Sequence, residues 1–366
     1  MLEHTPGSLG GALPTSIRGM DSAPKTIGGN ALALEVPDVS YVTPVYANEA
    51  TLGETLRCIA AQVTERSWEV IVVDDGSPDG SVAIAEDFAR RDPRVRLIKK
   101  SNGGEASALN VGFRAARGRY VAIVEGDVEP ASDWLERCLT TLEQDEEIWA
   151  VGGYLETPPE DSWIARLAGY EIERKFRTKP RETKHLTSAN VVYRREAFEL
   201  AGPFDERLIN ASLDSVFNAR LAKVGRRLVY EASARVRHHY KTTGLGYLKR
   251  QWAYARYRVH NEELDLYPAD RFLAAHVALA ALASACTLTL TPVGIFVPGP
   301  GGWVLKGTGP SLFGLALLLQ TPQAIRLLIE RRDPAALLYP PVIVARNVVG
   351  AWGYAVGVAQ KALGRI

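Results

Sequence analysis

Between residues 37 and 152, short apolar runs alternate with stretches whose apolar residues recur every three or four positions. Residues 39–46 are β-rich and alternating, and 50–62 carry Leu52, Leu56, Ile59 and Ala60 at helical spacing. The pattern then predicts strands over 68–73, 94–98, 119–124 and 148–152. Helices are predicted after the DDGSPDGS turn through Arg90, over 106–116 and over 132–144. Strands alternating with helices imply βαβ units and a mostly parallel sheet. Ligands of such sheets bind beyond the carboxyl ends of the strands.

The far end of the chain has a different pattern. Residues 272–297 are 26 positions without Asp, Glu, Lys or Arg. At ~1.5 Å per residue such a run crosses a hydrocarbon core of ~30 Å. A second apolar stretch covers 311–329 and includes Pro322 and Arg326. A third covers 335–360 and includes Pro340, Pro341 and Arg346, and its arginine favours a partly buried or interfacial helix over a span. Residues 1–271 hold 76 charged side chains and 272–366 only 9. Arg326, Arg331 and Arg332 put the segment after the second stretch, and with it residues 1–271, on the cytoplasmic side of a cell membrane. Residues 244–260 form an amphipathic helix, with Leu248, Trp252, Ala255 and Val259 on one face and Lys249, Arg250, Arg256 and Arg258 elsewhere. Such a helix suits an interface beside anionic lipid. Residues 1–36, rich in Gly, Ser, Pro and Thr, read as a flexible tail with no apolar core of a signal peptide.

Net charge is +1, which excludes the global basic field that drives nucleic-acid binding. Cys58, Cys138 and Cys286 are odd in number and widely spaced, so no disulfide framework is expected. Two strand ends are acidic: Asp74, Asp75, Gly76 and Ser77 follow one strand, and Glu125, Gly126 and Asp127 another. Paired this way, carboxylates suit Mg²⁺ or Mn²⁺ shared with substrate phosphates, although a single such end is as well a turn or a helix cap. Neither GxGxxG nor GxxxxGK[ST] is present, so the dinucleotide and P-loop readings lose their main support. Adjacent His238 and His239 follow a strand-like run and cannot face one way, which argues against a paired zinc site.

Six ordered blocks over residues 38–262 resemble the family 2 glycosyltransferases, with the GT-A nucleotide-sugar fold. They are TPVYANEATLGETLRCIAAQ, WEVIVVDDGSPDGS, NGGEASALNVGFRAARGRYVAIVEGDV, SANVVYRREAFELAGPFDERL, LDSVFNARLAKVGRRLVYE and TTGLGYLKRQWAYARY. The order looks closest to the succinoglycan-biosynthesis type, whose members also end in membrane-associated helices. The resemblance implies a tail (1–36), a GT-A domain (37–243), an interfacial helix region (244–271) and two or three membrane-associated helices (272–366).

It also implies roles for individual residues. Pro44 and Tyr46 would shape the nucleotide pocket, Glu49 would approach ribose or base, and Asp75 would hydrogen-bond the base. EGD stands where the family usually has DxD; Asp127 matches the acid that holds the metal, and Glu125 the first acid. Asp214 matches the last acid of the family's ED motif, with Leu213 in place of Glu, and would be the catalytic base. Asn190 belongs to the small-residue turn lining the sugar pocket, and His238 would complete the metal site. Gln251 and Arg256 resemble a Gln-x-x-Arg element that meets the leaving diphosphate; the strict QxxRW form is absent, which argues against a processive polymerase. The implied function is inverting, Mg²⁺- or Mn²⁺-dependent transfer of a sugar from a nucleotide-diphosphate donor to a lipid-linked saccharide acceptor at the cell membrane, in cell-surface polysaccharide or glycolipid synthesis. The alternatives are a polyprenyl-phosphate glycosyltransferase and a non-catalytic membrane scaffold.

Overall fold

The computed structural model describes residues 25–27, 36–177, 179–208, 213–240, 243–259 and 268–364. Most of the expected tail, and residues 260–267, lie outside them. The first half is β1 (Lys25–Ile27), β2 (Val39–Val45), α1 (Leu52–Ala60), β3 (Trp68–Asp74), α2 (Ser81–Arg91), β4 (Val95–Lys99), α3 (Glu105–Ala115), β5 (Tyr120–Ile123), β6 (Val128–Pro130), α4 (Trp134–Glu143) and β7 (Ile148–Glu156). Then come α5 (Trp163–Arg177), β8 (Val191–Arg194), α6 (Ala197–Ala201), α7 (Leu213–Lys223), β9 (Arg227–His238) and α8 (Gly244–Arg258). The long C-terminal helices are α9 (Pro268–Phe296), α10 (Pro300–Arg331) and α11 (Tyr339–Ala362).

Among the described residues the strands form one nine-stranded sheet, in the order β1-β4-β3-β2-β5-β8-β7-β9-β6. The block β4-β3-β2-β5 is parallel throughout, as the βαβ pattern predicts. β8 then pairs antiparallel to both β5 and β7, so the far half is mixed. The central strands read as unbroken apolar runs because both faces are covered. In β3, Val70 and Val72 join the core under Leu52, Leu56 and Ile59 of α1, while Ile71 and Val73 join the core with Leu109 and Phe113 of α3. Helices on both faces leave the strand ends free to carry chemistry.

Among the described residues, three C-terminal helices are long and apolar enough to cross a membrane: Ala274–Phe296, Pro300–Arg331 and Pro334–Ala362, the last including a short 3₁₀ turn before α11. α9 and α10 form a hairpin. The base of α10 returns to α5, where Ala324 and Leu327 pack on Leu167 and Tyr170. α11 lies along α8. The apolar face expected on 244–260 therefore meets another helix: Gly353 and Gly357 of α11 sit against the backbone of Trp252 and Arg256.

Candidate active site

A cavity of about 670 Å³ opens at the carboxyl ends of the parallel strands. Pro44 and Tyr46 come from the end of β2, Asp75 from just after β3, Glu105 from the start of α3 after the loop that follows β4, and Glu125 and Asp127 from the turn after β5. Parallel strands deliver all these residues to one edge because they all run the same way. The opposite wall comes from α5 and α8, with Arg346 from α11.

At one end, Asp75 is fixed by its surroundings. Its Oδ1 accepts the Gly103 N–H at 2.9 Å and pairs with Lys100, and its Oδ2 accepts the Gly104 N–H at 2.8 Å. Gly76 follows with φ +74°, and a Cβ there would come within 3.0 Å of the Asn102 nitrogen, so the turn requires glycine. Asp74 is spent locally: its oxygens accept the Gly76 and Ser77 N–H groups at 3.2 Å. Of its two readings, the turn residue is the one observed.

The centre is acidic. Glu105, Glu125, Asp127 and Asp214 all line it. Ser188 Oγ lies 2.9 Å from Glu105 Oε1 and 2.9 Å from Glu125 Oε1. A hydroxyl has one proton to give, so the second contact is satisfied when one carboxyl keeps its own proton and donates. Burial raises the pKa of both Glu105 and Glu125, and repulsion among the neighbouring carboxylates raises it further. Asp214 stands in the first turn of α7, where its Oδ1 accepts the Ser215 N–H at 2.7 Å. Burial raises its pKa too, and hydrogen bonds and Lys179 only partly offset that.

Beside them, His238 ends β9 with Nε2 3.5 Å from Asp127 Oδ1. Burial alone would lower its pKa, but Asp127 and Glu125 outweigh burial and raise it. Its Nδ1 is buried with no hydrogen-bond partner among the described residues. One ligand atom each from Glu125, Asp127 and His238 lies within 4.8 Å of the others. Two carboxylates and an imidazole with a buried, unpartnered ring nitrogen fit a divalent cation, and the cation would relieve the crowding of negative charge. His239 points the other way, as the alternation of a strand demands. Its ring bridges Asp161 and Glu129 at 2.8 Å each, and those bonds hold its pKa at about 9 against burial.

Pro44, Tyr46, Asp75, Glu125, Asp127, Asp214, His238 and Gln251 thus share one cavity, and three expected residues do not line it. Glu49 turns its carboxylate to the Gly80 N–H at 3.1 Å, at the start of α2, where a helix N-terminus attracts it. Asn190 is fully buried and spends its amide on Trp134 Nε1, Gly153 N–H and the Tyr154 carbonyl; its neighbours Ser188 and Ala189 line the cavity in its place. Arg256 donates to Gln360 of α11 at 2.6 Å and lies over the Trp252 ring. Helix phase explains this: Tyr247, Arg250, Gln251 and Tyr254 share the face of α8 toward the cavity, so Arg250 enters where Arg256 was expected.

Glu105, Lys175, Arg250 and Tyr254 line the cavity without having been singled out in the sequence. The strand-end rule that marked residues 74–77 and 125–127 also covers Glu105, which follows Gly103 and Gly104 just beyond β4. The others come from helices that close the cavity from the far side, and no local pattern marks them.

Residues 40–201 match the family model described as "Glycosyl transferase family 2". An uncharacterized glycosyltransferase of Bacillus subtilis, EpsJ, is 36% identical over 194 residues, 50% of this chain and 55% of that protein. The match thus spans about half of that relative's length. Glycosyltransferase AglE of Haloferax volcanii is 27% identical over 250 residues, 68% of this chain and 80% of that protein. Among solved structures, the mannosyltransferase PcManGT from Pyrobaculum calidifontis, in complex with GDP-Man and Mn²⁺, superposes with TM-score 0.55 at 21% identity over 88% of both chains, a likeness of fold. The family match takes in the parallel block of the sheet and the superposition extends well beyond it; residues 40–201 form a glycosyl transferase family 2 domain, and the chain has the GT-A fold.

Proposed function

We propose that the protein is an inverting glycosyltransferase that moves a sugar from a nucleotide-diphosphate donor to a lipid-linked saccharide acceptor at the cytoplasmic face of a cell membrane, with Mg²⁺ or Mn²⁺ in the site. The observation that carries this reading is a single cavity holding Asp75 at one end, the group Glu125, Asp127 and His238 with Asp214 at the centre, and the helices nearest the apolar hairpin at the other.

In this reading Pro44, Tyr46 and Asp75 hold the nucleoside. Glu125, Asp127 and His238 hold the cation, which when bound offsets the charge that builds on the departing diphosphate. Asp214 takes the proton of the acceptor hydroxyl as that oxygen bonds to the anomeric carbon, and the bond from that carbon to the diphosphate oxygen breaks on the opposite face. The raised pKa of Asp214 makes it a stronger base than an exposed aspartate. Ser188 and Glu105 stand between these groups and orient the sugar. The acceptor reaches the cavity past α5, α8 and α11, beside the hairpin.

A second reading, transfer to a lipid phosphate, is favoured by Lys175 and Arg250, two cations on the far wall. A phosphate arrives without the proton that a hydroxyl must lose, so Asp214→Asn would spare this reaction and abolish the first.

The test uses detergent-purified full-length protein and a panel of UDP-, GDP- and dTDP-sugars with Mn²⁺ or Mg²⁺, reading released nucleoside diphosphate. The expected result is release from one donor that EDTA stops and added cation restores. No release from any donor, together with no donor binding by calorimetry, would overturn the reading in favour of a scaffold.

A further inference from the structure

By length and apolarity α11 would be a third membrane span beside α9 and α10. We infer that only the α9–α10 hairpin crosses the bilayer, while α11 lies along the membrane surface on the catalytic side, so that both ends of α11 stay on that side.

The first argument is what α11 is tied to. At its start, Tyr339 donates its hydroxyl to Glu171 Oε1 at 2.9 Å, and Arg346 donates to Glu171 Oε2 at 2.7 Å; Glu171 belongs to α5. At its end, Gln360 accepts from Arg256 at 2.6 Å, and Lys361 reaches the Val259 carbonyl at 3.4 Å. Between these ties the two helix backbones touch. A Cβ at Gly353 would come within 2.4 Å of the Trp252 carbonyl oxygen, and one at Gly357 within 2.3 Å of the Arg256 carbonyl oxygen. Small residues at that spacing let helices pack backbone to backbone. α11 therefore cannot enter hydrocarbon without α8, which carries Lys249, Arg250, Arg256 and Arg258. Hydrocarbon offers no water to such groups, and their insertion is strongly unfavourable. Trp352 and Tyr354 of α11 are exposed, aromatic side chains of the kind that favour the headgroup level.

The hairpin is built the other way. Lys306 is the lone charged residue of α10 before Arg326, and 19 uncharged residues lie between them, a length of ~28 Å at helical rise. Thr291 of α9 reaches the Lys306 carbonyl, which sets 272–291 of α9 opposite that stretch. Both helices thus present an apolar length that matches a ~30 Å core at the same depth. Lys306 lies over the Trp303 ring at 4.2 Å, a cation and an aromatic together at the far boundary. At the near boundary Glu330 pairs with Arg177 of α5 at 2.8 Å, and Arg331 pairs with Glu173. Leu282, Leu288, Phe296 and Leu318 point outward from the hairpin and are more than half exposed. Two crossings return the chain to the side it left.

The experiment is cysteine accessibility in the full chain, in a Cys58→Ser, Cys286→Ala background that keeps Cys138 buried in the core. Single cysteines are placed at three exposed positions: Val63→Cys in the catalytic domain, Phe296→Cys at the hairpin tip and Leu363→Cys just past α11. A membrane-impermeant maleimide is added to intact cells and to inverted vesicles. The expected result is labelling of Val63→Cys and Leu363→Cys from the same side, and of Phe296→Cys from the other. Labelling of Leu363→Cys from the side opposite Val63→Cys would make α11 a span and overturn the inference. Labelling of all three from one side would overturn the hairpin crossing. Labelling reads position alone, so the outcome is independent of sugar transfer.

Discussion

A lone buried carboxylate and a cluster of carboxyl groups line the same cavity, and their surroundings drive them in opposite directions. At the far wall, burial alone would raise the pKa of Glu171, but Arg346, Arg174 and Lys175 outweigh it and hold the carboxyl at about 2. Tyr339 and Arg346 bond its two oxygens from α11. At the centre, Glu125 and Asp214 are half-buried and Glu105 is more open, Glu105 and Glu125 lie among further carboxylates, and all three pKa values are raised. The first arrangement is complete within the chain and works as a joint between the catalytic domain and α11. The second is complete only when a cation or a proton is added, which is how a binding and catalytic centre is built.

The sharpest break of this comparison is at Asp214. Asp214→Asn should lower transfer to a hydroxyl acceptor by about 10²–10⁴-fold, the usual worth of a general base. Its thermal midpoint in detergent should be unchanged or higher, because a poorly accommodated buried charge is removed. A variant that keeps full kcat would remove Asp214 from the mechanism.

Next is the joint. Arg346→Met leaves Glu171 buried without its main partner and should cost about 3–5 kcal/mol of stability, as for other broken buried pairs. Pairing it with Glu171→Met should recover most of that loss. Glu125→Gln, at the centre, should cost nothing and should abolish the cation's effect on donor release. Denaturation of the three variants with EDTA present measures the contrast directly.

The two groups should also respond oppositely to pH. Glu105 and Glu125 have folded pKa values above their ordinary 4.5, so their contribution to stability is full below that value and is lost as pH rises through the raised values. Glu171 has its folded value near 2, so its contribution is present above 4.5 and is lost as pH falls toward 2. Thermal midpoints measured with EDTA from acid to alkaline pH should fall at both ends. Glu125→Gln should flatten the alkaline side, Glu171→Gln the acid side, and Mn²⁺ should raise only the neutral-to-alkaline values.

The smallest expected effects separate two arginines of α8. Arg250→Ala should lower kcat/KM by roughly tenfold or more, the loss of one hydrogen bond to a charged group. Arg256→Ala should leave kcat/KM within about twofold and cost ~1 kcal/mol of stability through its bond to Gln360. The reverse outcome would mean that α8 is turned differently in the working enzyme.

Much of the catalytic half was legible in the sequence because its signals are local. Each central strand is an apolar run closed by a polar turn, and Asp75, Glu125 and Asp127 follow their strands within two or four residues. His238 and His239 were separable by the alternation of a strand alone. Glu49 stands outside the cavity lining because a carboxylate near a helix start has two uses, and here the Gly80 N–H takes it. Arg256 stands outside the cavity lining because the face that α8 turns to the cavity depends on where α11 packs. Asn190 sits in the expected turn, but its amide is claimed by Trp134, 56 residues away in sequence.

By itself the sequence determined the alternation of strands and helices, the edge where chemistry gathers, the acids that follow β3 and β5, and the apolar tail. These rest on periodicity and on nearest neighbours, which a chain carries with it before it folds. Only the tertiary structure decided that Glu105 shares Ser188 with Glu125, that Arg250 rather than Arg256 lines the cavity, and that Arg346 of an apolar helix answers Glu171 across 175 positions. Such pairings are set by how the helices pack over the sheet, and the charge of a residue does not say which partner it will meet.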